Sequence, residues 1–422
     1  MYTLIRENLP RASGGSRRGA TALRSVSGTV ILLGLTSLVT DISSEMVTTV
    51  LPLYFIVYLQ LTPLSFGLIE GFYQAFGACF RLLGGVIGDK FQRHKDVAVA
   101  GYGLSSICKL ALIAVGGAWM AITGVLVLDR LGKAIRTGPR DAMISLNSDG
   151  ASLGAAFGVH RALDSLGALL GPVLAFVILS AAPGAFDSIF MVSFCVSLVG
   201  LGILVLFVSG RTNSVPQAAS DRVSFRSSWS LLSRPYFRRL TIVSAGLSLF
   251  TISDGFLYLV VQKQVDLDFS FFPILYLGTA TAYFALAIPA GMLADHIGRA
   301  RVMIGGYLLL LAVYSCLLRE PEGAFQVTAY LVLFGAYYAA TDGVLMALAS
   351  RDVPEETRGS GLALIGSITG LARFAGSALF GAVWTFWSAD AAILLLLAGL
   401  TVTIACAIPL LGRDSPQGTS PA

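Results

Sequence analysis

The sequence has 422 residues, of which 55% are hydrophobic and only 13% are charged, and its mean hydropathy is +0.78. Soluble globular proteins carry about 25% charged residues, so this composition excludes an ordinary soluble protein and points to a lipid environment. The net charge of +5 does not indicate a nucleic-acid partner, because most lysines and arginines lie in short loops between apolar runs.

Twelve apolar runs have the length of roughly 18 residues or more that lets a helix cross a bilayer. They lie near residues 27–58, 64–88, 97–117, 121–143, 154–180, 188–209, 240–262, 271–294, 302–318, 326–349, 359–384 and 391–411. The first run is too long for a signal-peptide core and no small-residue cleavage site follows it, so we expect it to be retained as a helix.

The positions of lysine and arginine orient these spans. With the N-terminus inside, 21 of the 29 lysines and arginines fall in predicted inner segments, including Arg136 and Arg140 at the inner end of the fourth span. The outer loops hold only Lys263 and Arg319. This asymmetry predicts a multi-pass protein of the cell (inner) membrane with both termini in the cytoplasm.

A polar stretch with six arginines separates the first six spans from the last six, and it reads as a linker between two bundles. Its second half, residues 225–240, alternates arginines with large apolar residues, which is typical of an interfacial amphipathic helix. A weak repeat supports duplication, since SLVTDISSE at 37–45 resembles SLFTISDGF at 248–256. We therefore predict an all-α membrane protein with twelve transmembrane helices in two pseudo-symmetric six-helix bundles. The predicted parts are a basic cytoplasmic tail at 1–26, an N-terminal bundle at 27–209, the linker at 210–239, a C-terminal bundle at 240–411 and a cytoplasmic tail at 412–422.

Two predicted inner loops share one pattern. The loop after the second span reads GGVIGDKFQRHK at 84–95, and the loop after the eighth reads GMLADHIGRAR at 291–301. In each, a glycine, three residues and an aspartate precede a basic cluster. A glycine permits close helix approach, and an aspartate at a helix end can pair with a basic group or a helix dipole. The paired placement favours a latch between bundles over ordinary loop charge.

These loops resemble the signature loop of the major facilitator superfamily, and the resemblance extends over residues 27–411. It implies a twelve-helix transporter fold and a cytoplasmic gating role for the matching residues. These are Gly85, Asp89, Lys90 and Arg93 in the first copy, and Gly291, Asp295, Gly298 and Arg299 in the second. The copies depart from the pattern at Gln92 and His296. With its D-x-S-S-E-M sequence on the first span, the chain resembles a subset of bacterial permeases.

Two further patterns of that family can be matched. On the fifth span, Gly158, Gly167, Gly171 and Pro172 resemble the G-x8-G-x3-G-P pattern of proton-driven exporters, although the glycine pair that usually follows is missing. The alternative is that these residues only allow close packing and a kink. On the fourth span, Arg130 resembles the buried arginine that the family links to proton coupling.

Charged residues inside the spans are candidate functional groups, because each costs at least ~2.5–3.5 kcal/mol to insert. Asp41 and Glu45 share one face of the first helix, at a depth from which they can meet Arg130 of the fourth, where Lys133 is a further candidate. Two carboxylates beside one arginine cannot all be satisfied when ionised, so one acid is expected to carry a proton. The alternative is a static buried salt bridge. In the second half, Asp254 and Asp342 are predicted either to bind a cationic substrate group or to line a polar pocket near Arg373.

The sequence thus predicts a secondary transporter that works by alternating access, as a proton-coupled antiporter exporting a small organic solute or drug. The alternatives are a proton-coupled uptake symporter and, from another class, a non-transporting receptor or a membrane enzyme. No nucleophile–base or metal constellation indicates an enzyme, and no Walker A sequence indicates an ATP-driven pump. The predicted partners are the lipid bilayer, a small-molecule substrate and protons, with no nucleic acid, cofactor or metal, and the chain is predicted to be monomeric.

Overall fold

The computed structural model describes residues 26–91, 94–148, 152–208, 231–319, 323–353 and 358–412. These residues form helices joined by short turns, and within them the secondary structure is helical throughout. Twelve helical spans match the twelve predicted ones, which confirms the predicted fold class. By length and composition, ten spans of the described chain qualify as membrane-crossing helices.

The helices follow the apolar runs closely. Their bounds are α1 Gly28–Thr48, α2 Pro63–Phe91, α3 His94–Ala114, α4 Trp119–Leu146, α5 Leu153–Ala181, α6 Phe186–Phe207, α7a Pro235–Leu249, α7b Asp254–Val265, α8 Phe272–Ile297, α9 Arg299–Leu317, α10 Ala324–Asp352, α11 Arg358–Phe386 and α12 Ala389–Gly412. The first span continues beyond α1 through Leu51–Leu53 into a π-helical turn at Tyr54–Tyr58.

The seventh span is the one that departs most from its prediction. We predict one helix over 240–262, whereas the structure has two, α7a and α7b, separated by residues 250–253. Two of those four residues, Thr251 and Ile252, are β-branched and therefore weak helix formers. The Tyr314 hydroxyl bridges the break: it accepts the Ile252 N–H at 2.7 Å and donates to the Phe250 carbonyl at 2.9 Å.

The chain divides into two compact units, one of Met1–Tyr54, Cys79–Gln217 and Phe269–Ile274, the other of Phe55–Ala78, Ala218–Asp268 and Leu275–Ala422. In the first unit, α1 packs against α5 and α6, and α3 packs against α4 and α6. In the second, α9 packs against α10 and α12, and α7a packs against α11 and α12. The predicted linker lies mostly outside the described residues, and the predicted domain limits stay a prediction.

Candidate functional site

The two acids of α1 lie four residues apart on one side of that helix. Each meets a cation of α4: Asp41 Oδ1 lies 3.5 Å from Arg136 Nη2, and Glu45 Oε1 lies 4.0 Å from Lys133 Nζ. Asp41 is buried and Glu45 is half-buried. The acids therefore meet α4 as predicted, but the ion pairs seen here use Arg136 and Lys133 where the sequence pointed to Arg130.

A row of charges runs along one face of α4. Its members are spaced by four, three and four residues, which places them on one side of a helix. They are Asp129, Lys133, Arg136 and Arg140. The predicted fourth span, 121–143, already contains Arg136 and Arg140, which are also counted among the inner-segment charges, and α4 continues past Pro139 to Leu146.

Arg136 is the most enclosed cation of this row, with 2% of its surface exposed. Its guanidinium carbon lies 4.2 Å from the centre of the Tyr102 ring on α3, in the geometry of a cation–π contact. With Asp41 on α1, this contact places the guanidinium between two helices. The charge is therefore held where hydration cannot compensate it, and its protein partners must do so.

Asp164 on α5 brings a second carboxylate to Asp41. Its Oδ1 accepts a hydrogen bond from the Ser37 hydroxyl at 2.7 Å and lies 3.8 Å from Arg140 Nη1. Its Oδ2 lies 4.0 Å from Arg161. The carboxyl groups of Asp164 and Asp41 are within hydrogen-bonding reach of each other. Three helices thus join in one polar network near the middle of their lengths.

Arg140 ties this network together from α4. Its guanidinium donates to the Ser37 hydroxyl at 3.2 Å and to the Asp141 carboxylate at 3.1 Å, besides facing Asp164. Sequence reasoning missed both Arg140 and Asp164 as members of the site. The signal for Asp164 is its spacing of three and seven residues before Gly167 and Gly171, which puts all three on the face of α5 that meets α1.

Two glycines of the predicted helix 5 pattern make that meeting possible. A Cβ added at Gly167 would lie 2.5 Å from the Leu38 carbonyl oxygen, and one added at Gly171 would lie 2.6 Å from the Glu45 Cβ. Gly158, by contrast, has nothing within 4 Å of such an atom. Pro172 is buried inside α5 without ending the helix. The close approach therefore occurs beside the acids of α1 and nowhere near Gly158.

A second ion pair lies beside this network and joins α3 to α4. Lys109 Nζ lies 3.8 Å from Asp129 Oδ1, and the Ser105 hydroxyl donates to the same carboxylate. Lys109 also donates to the Ser105 carbonyl at 3.2 Å. Because its charges neutralise each other and it is largely buried, this pair serves to fix α3 on α4.

The second unit holds its own group of polar residues near the middle of its helices. Asp254 begins α7b, and its carboxylate accepts a hydrogen bond from the Tyr338 hydroxyl of α10. One turn beyond Tyr338, Asp342 is exposed. Arg373 of α11 is half-buried and interacts electrostatically with Asp342 and Tyr338. The structure thus places the predicted residues Asp254, Asp342 and Arg373 around Tyr338.

The second copy of the loop pattern forms the turn between α8 and α9. Asp295 Oδ1 lies 3.5 Å from Arg299 Nη2, and Arg299 donates to the Ala347 carbonyl of α10 at 3.1 Å. Gly298 has a φ of +102°. Gly291 has no atom within 4 Å of a built Cβ, so within the described chain it makes no close helix approach. In the first copy, Arg93 and the side chains of Asp89 and Lys90 lie outside the described part, as do the surroundings of Gly85.

No group of three or more potential metal ligands occurs among the described residues. The functional groups of the chain are therefore a charged network in the first unit and an acid–tyrosine–arginine group in the second, both deep in apolar helices. Charged groups at such depth are typical of membrane transporters and are rare in membrane proteins with a purely structural role.

Comparison with known proteins assigns this transporter to a family. Residues 33–281 and 256–422 match the sequence model of the Major Facilitator Superfamily, and the chain belongs to that family. It is 30% identical over 369 residues to an uncharacterized MFS-type transporter of Methanocaldococcus jannaschii, covering 86% of this chain and 89% of the relative. An uncharacterized protein of Mycobacterium tuberculosis is 24% identical over 410 residues, covering 94% of this chain and 93% of that protein.

Solved structures share the fold at lower identity. The nucleoside transporter NupG superposes with a TM-score of 0.74 at 14% identity, over 91% of this chain and 99% of that one. The peptide transporter POT in complex with alafosfalin superposes with a TM-score of 0.73 at 14% identity, over 94% and 98% of the two chains. The predicted family is therefore confirmed, and the chain is an MFS-type secondary transporter that lies in a bilayer and binds small molecules.

Proposed function

We propose that this transporter is coupled to protons and that Asp41 and Asp164 hold the coupling proton. The observation that carries the proposal is the contact between these two carboxyl groups. Two carboxylates within hydrogen-bonding reach in a poorly solvated site cannot both stay ionised, so the pair retains one proton. Arg136 and Arg140 each face one of the two carboxyl groups, and in this proposal they stabilise the single negative charge that the pair keeps.

The network also provides a way to release the proton. Asp164 is held from two sides, by the Ser37 hydroxyl and by Arg140, whereas Asp41 relies on Arg136. If α1 shifts against α5, the carboxyl groups separate and each is left with its own arginine. Ionisation then becomes favourable for both, and the shared proton leaves. Movement of α1 during alternating access would thereby couple proton transfer to transport.

We further propose that the direction is export by antiport, with both termini in the cytoplasm of the cell. The helix 5 pattern supports export, because Gly167 and Gly171 bring α5 against α1 at the level of Asp41 and Glu45. Glu45 and Lys133, at 4.0 Å and half-buried, are open enough to contact the solute. Arg130 stands next to this row on α4 and contributes positive charge to it.

Transport in proteoliposomes tests this function. Vesicles loaded with members of a labelled panel of nucleosides, dipeptides, amino acids and organic cations are placed in acidic buffer, with and without a protonophore. Antiport predicts that outside acid accelerates solute exit, and uptake by symport predicts that it drives accumulation. The sign of this coupling does not depend on how the protein is inserted. Asp41→Asn and Asp164→Asn should each abolish the effect of the gradient.

The matched control is Asp187→Asn, which removes an exposed acid at the start of α6 and should leave gradient-driven transport unchanged. Solute exchange at equal pH on both sides shows whether each variant is folded. Gradient-driven rates in Asp41→Asn and Asp164→Asn that equal the wild-type rate would refute the proton role.

A further inference from the structure

Arg373 forms no ion pair with an acid in the described part of the chain. It lies about 22 Å along α11 from Arg358, at ~1.5 Å per residue, and therefore near the middle of a 29-residue helix. Within the described residues it takes part in no ion pair or hydrogen bond, and it is half-buried. An arginine at this depth is costly, so a charge left unpaired there marks a functional group.

Three tyrosines lie within electrostatic range of this guanidinium. It interacts electrostatically with the hydroxyl-bearing rings of Tyr307, Tyr337 and Tyr338. The three rings form one cluster, with centroids 5.4 Å apart for Tyr307 and Tyr337 and 5.0 Å apart for Tyr337 and Tyr338. Phenol hydroxyls are hydrogen-bond donors, and an arginine fork presents two parallel N–H groups. The Tyr338 hydroxyl already donates to Asp254, whereas the buried Tyr337 hydroxyl has no hydrogen-bond partner within the described residues. Tyr337 and Arg373 therefore offer donors to an anion such as a carboxylate.

Asp342 supplies the opposite charge nearby. It lies about 15 Å along α10 from Asp352, at ~1.5 Å per residue, so its depth differs from that of Arg373 by about 7 Å. It is exposed and, in the described chain, forms no ion pair or hydrogen bond. The two charges interact electrostatically, yet they do not approach to ion-pairing distance. An exposed acid inside a span avoids lipid and faces water.

We propose that Arg373 and Asp342 form the two poles of a site for a zwitterionic solute. The carboxylate of the solute binds Arg373 and the Tyr337 hydroxyl, and its ammonium group binds Asp342. Asp254 takes no part in this contact, because the Tyr338 hydroxyl already donates to its carboxylate. This assignment rests on the proposed transport function and names its substrate class.

Charge balance decides between this ligand and simpler ones. A solute with only a carboxylate would satisfy Arg373 and leave Asp342 unneutralised, and a simple amine would do the reverse. When a polar group of a site pairs with one group of the ligand, analogues that lack this group bind weakly, because the polar group of the site is left without a partner. Only a ligand with both charges satisfies both residues.

Binding to the purified full-length chain tests the proposal without any proton gradient. The probes are glycine, β-alanine, 4-aminobutanoate and 5-aminopentanoate, which carry the same two charged groups at increasing separation. Each is compared with the carboxylate and the amine of the same chain length, by thermal stabilisation in detergent at constant pH. We expect at least one zwitterion to bind about tenfold or more tightly than both of its singly charged analogues.

Variants then locate the two poles. Arg373→Gln and Asp342→Asn should each reduce binding of that zwitterion about tenfold or more, and Arg373→Lys should retain part of it because the positive charge remains. Lys263→Gln removes an exposed cation of the same unit and serves as the control. Unfolding temperatures without ligand show whether each variant is folded.

Two results would overturn the zwitterion site: no probe zwitterion binding better than its singly charged analogues, or undiminished binding in Arg373→Gln. Because this assay imposes no gradient, its failure is separate from a failure of proton coupling, which the Asp41 and Asp164 variants report.

Discussion

Asp41 of α1 and Arg136 of α4 form a buried ion pair, with 3.5 Å between Oδ1 and Nη2 and side-chain exposures of 13% and 3%. The pair connects the helix that carries the paired acids to the helix that carries the row of charges. Because neither group reaches bulk water, each depends on the other for most of its neutralisation. Neutralising or removing one of the two residues therefore destabilises the charge of the other.

Replacing one partner of this pair should destabilise the folded protein strongly. Replacing both partners should destabilise it by less than the two single changes added together. We expect Arg136→Gln to lower the free energy of unfolding by about 3–5 kcal/mol, because the negative charge that Asp41 and Asp164 share then loses one of its two arginines. The double variant Asp41→Asn/Arg136→Gln should lose less than the sum of the two single variants. Denaturant titration of the purified protein in detergent measures all four members of the cycle.

The control for this cycle is Arg238→Gln, since Arg238 is exposed on α7a and its loss should change stability by no more than about 0.5 kcal/mol. Additive losses in the double variant would show that Asp41 and Arg136 do not stabilise each other.

The same pair shows what hydropathy can and cannot predict. Apolar runs locate the twelve helices, because only a continuous helix satisfies its backbone in lipid. They do not show that Arg136 is buried, since a cluster of charges lowers the local hydropathy whether it lies near a loop or on one buried face. The spacing of the charges carries the missing signal: Asp129, Lys133, Arg136 and Arg140 repeat at helical intervals.

Replacing Gly171 with a larger residue should destabilise the protein, whereas the same replacement of Gly158 should be tolerated. A Cβ at Gly171 would lie 2.6 Å from the Glu45 Cβ and 2.9 Å from the Ile42 carbonyl oxygen, so Gly171→Ala must push α5 away from α1. We expect a loss of about 1–3 kcal/mol in unfolding free energy from this overpacking, together with slower transport. Gly158→Ala is the matched control, because nothing lies within 4 Å of its Cβ. Equal stability of the two variants would contradict the close approach seen here.

The polar group of the second unit was only partly predictable. Asp254, Asp342 and Arg373 stand out in the sequence as charges inside apolar runs, and Arg373 is correctly placed near the two acids. The role of Tyr338 is invisible in the sequence, because a tyrosine in an apolar run carries no periodic signal of its own. Nor does the sequence show the break in the seventh span, since the backbone there is satisfied by Tyr314, some sixty residues away.

Tyr314→Phe should loosen that break without disturbing the core. The substitution keeps the ring and removes the hydroxyl that accepts the Ile252 N–H and donates to the Phe250 carbonyl. A buried N–H left without a partner costs about 1–3 kcal/mol. Hydrogen–deuterium exchange should rise at residues 250–254, while Tyr330→Phe, which loses only a 3.4 Å contact to the Cys316 carbonyl, should not change it. Unchanged exchange in Tyr314→Phe would mean that the break is stable without the tyrosine.

The two glycines of the second loop pattern should respond differently to the same substitution. Gly298 has a φ of +102°, which strains any residue with a Cβ, so Gly298→Ala should cost about 1–3 kcal/mol at the turn between α8 and α9. Gly291 lies within α8 with nothing within 4 Å of a built Cβ, and Gly291→Ala should preserve stability because alanine is the better helix former. Thermal unfolding of both purified variants measures the difference. If Gly291→Ala is instead the damaging change, Gly291 makes a close contact in another state of the transporter. If both variants match the wild type, the turn accommodates alanine by changing its backbone, and the position of Arg299 against the Ala347 carbonyl should shift with it.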